Sequence, residues 1–118
     1  MKIQEAVYKA HDNSCEKGWW DKYESVDSGI VADIVSSKLM LVVTELAEAV
    51  EEIRDAKGFN QTYLSIEGKP EGFPIEVADA MIRLFDLCGW LGINIEKAVK
   101  TKMEYNKSRP IRHGGKVI

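Results

Sequence analysis

Apolar positions recur at helical spacing over four stretches of this chain. Ile3, Ala6, Val7 and Ala10 mark a first helix over about 2–17, which Gly18 stops. A loop rich in Trp, Ser, Asp and Gly follows. A second helix starts between Ser28 and Ser37 and runs to about Lys57. Its apolar stripe is Leu39, Val42, Val43, Leu46, Val50 and Ile53, and Gly58 closes it. Residues 58–73 hold three glycines and Pro70 and read as an exposed connection. Pro74 opens a third helix, where a missing amide proton costs nothing, and the helix continues to about Trp90, stopping near Gly92. Asn94 caps a fourth that reaches about Lys107, before Pro110 and a Gly-Gly tail. No stretch alternates cleanly with period two. The pattern predicts an all-α, four-helix bundle forming one domain over 1–118.

The third helix also predicts its surroundings. On a wheel of about 100° per residue, Glu76, Asp79, Arg83 and Asp86 fall within a sector of about 80°. The rest is almost wholly apolar: Val77, Ala78, Met81, Ile82, Leu84, Phe85, Leu87 and Cys88. A helix apolar over more than half its circumference is buried on two sides. One side meets its own chain, and the other is expected to meet a second subunit. The charged stripe then lies in a groove at the core margin, where it needs partners.

Composition narrows the class without changing it. With 118 residues, 45% of them hydrophobic and 30% charged, the chain reads as a globular, soluble domain. A net charge of -3 gives no broad attraction to nucleic acid or to a membrane surface. No apolar run approaches the roughly 18–20 residues that span a bilayer. The start, MKIQEAVYKAHD, lacks an apolar signal core, so the expected compartment is the cytoplasm. Cys15 and Cys88 fit no metal or redox spacing and are expected as reduced core thiols.

The chemistry lies in carboxylates. Glu45, Glu48 and Glu52 stand at i, i+3 and i+7 on one face of the second helix. The pairs ELAE (45–48) and EVAD (76–79) on neighbouring helices can aim four carboxylates at one point. Oxygen-only ligands suit magnesium, with manganese as a substitute. A diiron bundle would add a histidine three residues after a glutamate, and His11 and His113 stand in no such motif. The plain alternative is a solvated acidic face. Against it, two carboxylates about 5 Å apart repel by roughly 3 kcal/mol at an effective dielectric of 20, and both pairs border dense apolar stripes.

Three blocks in order, LMLVVTELAEAVEE (39–52), EVADAMIRLFDL (76–87) and KMEYNKSRPIRHGGK (102–116), resemble the MazG-like all-α nucleoside triphosphate pyrophosphohydrolase superfamily over roughly half the chain. The resemblance implies a helical dimer, or a dimer of dimers, with the active site near the subunit interface. It implies metal ligation by Glu45, Glu48, Glu76 and Asp79, with Glu45 or Glu48 activating the water. It further implies that Lys102 and Asn106 face the triphosphate. Arg109 lies a turn beyond, so the three can point one way as a phosphate clamp; basic residues favoured by a helix C-terminus are the plainer account of Lys102 and Arg109.

The first 20 residues or so carry no firm alignment to that family. His11, Lys17, Trp19 and Trp20 occupy the region where its members contact base and phosphate. Trp19 and Trp20 can stack on a nucleobase or plug the bundle end, and His11 reads as a partly buried, hydrogen-bonded histidine. The implied reaction is magnesium-dependent hydrolysis of a nucleoside triphosphate to the monophosphate and pyrophosphate. Two alternatives stand beside it. One is a non-catalytic helical interaction protein. The other is a related hydrolase acting on a phosphoribosyl-ATP-like metabolite.

Overall fold

The computed structural model describes residues 1–110, so His113, the Gly-Gly tail and the last part of the 102–116 block lie outside the described residues. Four helices carry the described residues: α1 (Ile3–Glu16), α2 (Val31–Arg54), α3 (Phe73–Leu91) and α4 (Ile95–Ser108). Short 3₁₀ turns at Asp21–Tyr23 and Ser28–Ile30 join α1 to α2. Among the described residues no helix is long and apolar enough to cross a membrane.

Local chemistry explains most of the boundaries. Asn94 accepts the amide of Lys97 at 3.1 Å and caps α4. Gly92, at φ 70°, ends α3 in the left-handed conformation that glycine takes without strain. α2 stops at Arg54, a turn short of the expected Lys57, because Ala56 already turns to φ 57°. The 58–73 connection is not featureless. It holds a minimal antiparallel hairpin, β1 (Tyr63–Leu64) with β2 (Pro70–Glu71). Gly72 leads from the hairpin into α3 at φ 123°, with the Gln61 carbonyl 2.3 Å from where a Cβ would stand. Only glycine fits there.

α3 is the central helix, packed against α1 on one side and α2 on the other. It comes close to α1 at Gly89, where an added Cβ would stand 2.5 Å from the His11 Cβ. α4 packs chiefly on α1 and buries none of its own residues. Trp20, Ile34 and Leu87 form a buried apolar cluster, with Tyr23, Val26, Val35 and Trp90 packed against it.

Two expectations need correction. Of the expected apolar stripe of α2 only Val42 is buried, in line with Ile34, Glu45 and Ala49, whereas Leu39, Val43, Leu46, Val50 and Ile53 lie one position further along from that line and stay exposed. Cys15 is exposed and Cys88 half-buried, so Cys15 is no core thiol, though both are free. On α3, Met81, Ile82 and Leu84 are also exposed within the single chain. The radius of gyration, 17.2 Å, exceeds the roughly 13 Å of a compact 100-residue domain.

Candidate functional site: an acidic cleft between α2 and α3

The α2–α3 seam brings the two carboxylate motifs together. Oxygens of Glu45, Glu76 and Asp79 all lie within 4.8 Å of one another. Two helices make this set, because Glu45 sits on the buried line of α2 while Glu76 and Asp79 occupy successive turns of α3. Glu45 and Glu76 are buried, at 8% and 7% exposure. Glu48 is exposed on α2 and adjoins Glu76 without joining the tight set. Glu52, two turns along from Glu45, is instead engaged by the Tyr63 hydroxyl, which reaches both its oxygens at 2.8 and 2.9 Å.

The electrostatics are those of crowded carboxylates short of positive charge. Burial, with the neighbouring carboxyls of Glu48, Asp79 and Glu45, pushes Glu76 up to about 7. Burial and Glu45 raise Asp79 as well, against the opposing pull of Lys69 and Arg83. Oε2 of Glu76 is buried without a hydrogen-bond partner among the described residues. Arg83 supplies partial relief, its Nε standing 2.7 Å from Oε1 of Glu45.

Glu45 and Asp79 also line one end of a cleft of about 340 Å³. Its other walls include Asn13, Trp19, Lys38, Arg83 and Asp86. The two tryptophans part company here. Trp20 is 5% exposed, stacked on Trp90 at 4.6 Å with the Lys38 ammonium 4.5 Å over its ring, and it plugs the core. Trp19 is 57% exposed, and both tryptophans line the cleft. Asp86 closes the stripe that began at Glu76. Its Oδ1 accepts both the Trp20 Nε1–H and a bond from His11 Nδ1, each at 2.8 Å. His11 is thus the partly buried, hydrogen-bonded residue its position suggested.

The residues of α4 do not join this site within one chain. Lys102 and Asn106 are exposed, and Lys102 lines only a shallow depression on α4 itself. Arg109 is exposed just beyond that helix, its guanidinium 5.9 Å from the centre of the Tyr105 ring. Sequence reasoning passed over Lys38, Asn13 and Lys69, whose places near the cleft depend on folding. Lys38 alone left a trace, since it shares the face of Val42 and Glu45 on α2. No family model, curated protein or solved structure matches this chain, so the site is read from its own geometry.

Proposed function

We propose that this protein is a magnesium-dependent nucleoside triphosphate pyrophosphohydrolase, with manganese as a substitute, that works as a dimer or a pair of dimers. The observation that carries the reading is the orphaned Oε2 of Glu76, buried in a set of three carboxylates that opens onto a cleft. A buried carboxylate oxygen without a donor is costly, and a hard divalent cation is the partner an all-oxygen set fits. Glu45, Glu76 and Asp79 would hold it, with Glu48 beside them. Bound there, the ion would neutralise phosphate charge and lower the pKa of a nearby water.

The chain's own residues supply the rest. Glu45 is committed to Arg83, whereas Glu48 is exposed beside Glu76 at the edge of the cluster, so Glu48 is the carboxylate that would take a proton from the attacking water. Lys38 and Arg83 line the cleft and meet phosphate oxygens as charge develops. Trp19 offers a stacking face for the base. Lys102, Asn106 and Arg109 are the phosphate clamp. Because α4 packs away from the α2–α3 seam, the clamp acts on the site of a second copy. The exposed stripes of α2 and α3 provide the apolar surface on which two copies meet.

Release of pyrophosphate and nucleoside monophosphate from a panel of triphosphates tests the reading. Turnover with magnesium, abolished by chelation, is expected. Equal turnover in excess chelator, or monophosphate released from no triphosphate, overturns it.

A further inference from the structure

Asp86 has no task in the chemistry above, yet it lines the same cleft as Asp79. The two lie seven residues apart, two turns of α3, which is a rise of about 10.5 Å on one face. That separation is on the scale of a nucleotide, with phosphate at one end and base at the other. Asp86 is also held by two neighbours. Its Oδ1 takes both the indole N–H of Trp20 and the imidazole of His11. The His11 ring is oriented in turn from its far side, where Nε2 lies 3.5 Å from the Cys15 sulfur. With the thiol donating to Nε2, the tautomer that carries Nδ1–H donates to Asp86. Oδ2 of Asp86 makes no hydrogen bond among the described residues, on a side chain 15% exposed. The result is a fixed acceptor in the cleft that the exposed Trp19 also lines.

We propose that Asp86 selects the base. It favours cytosine or adenine, which carry an amino group where uracil and hypoxanthine carry a carbonyl. An amino N–H is a donor for Oδ2, whereas a carbonyl oxygen would confront a carboxylate and leave it unpaired. Trp19 stacks on either kind of base and contributes affinity without choice, since every base has a π-face. This inference rests on the nucleotide reading of the cleft, but not on hydrolysis.

The test is equilibrium binding of nucleoside monophosphates to the full chain in magnesium, followed by calorimetry. Two pairs differ by the amino-for-carbonyl exchange at constant size: CMP against UMP, and AMP against IMP. The amino member of at least one pair should bind roughly tenfold tighter or more, the lower end for one base-edge discrimination. N4,N4-dimethyl-CMP, which keeps the base but loses both N–H donors, should fall to the level of UMP on the unaltered protein. Asp86→Asn, which can donate as well as accept, should bring each pair within about threefold, and Trp19→Ala should weaken all members alike. Equal or reversed affinity in both pairs, or full binding of the dimethyl analogue, overturns the proposal. The two readings fail separately. Triphosphate hydrolysis blind to the base removes the role of Asp86 alone, while base-selective binding without pyrophosphate release removes the hydrolase alone.

Discussion

Arg83 stands with its Nε 2.7 Å from Oε1 of Glu45, so a guanidinium already neutralises one of three carboxylates crowded into the α2–α3 seam. Glu45 is largely buried while the Arg83 side chain is 43% exposed, so solvent screens the pair from one side. Replacing Arg83 by Gln leaves Glu45 without its cation. The chelated protein is expected to lose about 1–2 kcal/mol of stability, the cost for a buried pair reduced by that screening. The gain on adding magnesium should then exceed that of the unaltered chain, because a more acidic site binds the ion more tightly. Thermal melts with and without magnesium decide it, and identical values in both conditions would mean the pair is decorative.

Removing the carboxylates separates ligands from surface charge. Glu48→Gln and Asp79→Asn should each lower turnover by roughly 10²-fold or more while the helices remain folded. Glu51 is the matched control. It is exposed and bonded only to the equally exposed Arg54 at 2.8 Å, so Glu51→Gln should change neither activity nor stability measurably. Steady-state kinetics alongside circular dichroism make the comparison. If all three variants hydrolyse triphosphates equally fast, the acidic cleft is not the active site.

The acidity of Glu76 gives the metal-free fold a pH dependence of definite sign. Its native pKa of about 7 lies above the ordinary 4.5, so the folded state binds this proton more tightly than the unfolded state does. Its stabilising contribution is full below about pH 4.5, declines as pH rises, and is lost above about pH 7. Asp79 shifts in the same direction. In chelator, the melting temperature of the unaltered protein relative to Glu76→Gln should therefore fall across that window. Magnesium should restore it above pH 7, with protons released on binding at lower pH. A relative melting temperature that is flat, or that rises, would contradict the electrostatic account of the cluster.

Assembly provides the remaining prediction. Leu39, Val43, Leu46, Val50 and Ile53 form an exposed stripe at heptad-like spacing on α2, with Met81 and Leu84 exposed on α3. Light scattering should return at least twice the 13.3 kDa of one chain. Leu46→Lys or Met81→Lys should impair assembly, and activity with it. Mixing two inactive variants, Glu48→Gln and Lys102→Ala, should restore turnover, since a mixed dimer contains one site with intact carboxylates from one copy and an intact α4 from the other. A monomer in solution, or no recovery on mixing, would show that the clamp and the carboxylates do not meet across an interface.

How much of this was legible beforehand follows the range of each interaction. The helices, the Asn94 cap and the shared face of Glu76, Asp79, Arg83 and Asp86 depend on residues three or four apart, and one-dimensional spacing suffices for them. The same spacing marked Leu39, Val42, Val43, Leu46, Val50 and Ile53 as one apolar stripe. It did not reveal that the chain buries only Val42 of these, in line with Ile34 and Ala49, because periodicity says which face is apolar and not what covers it. Trp19 and Trp20 share one local environment, yet one is buried under Lys38 and the other is left exposed at the cleft. Only the packing of α3 against its neighbours, permitted on the α1 side by Gly89, decided between them. The bond from Arg83 to Glu45, the influence of Lys69 on Asp79 and the double grip on Asp86 join residues far apart in the chain. The sequence alone therefore determined which side chains could act together on each helix. Which helices met, and so which charges answered one another, depended on shape and burial that exist only once the chain has folded.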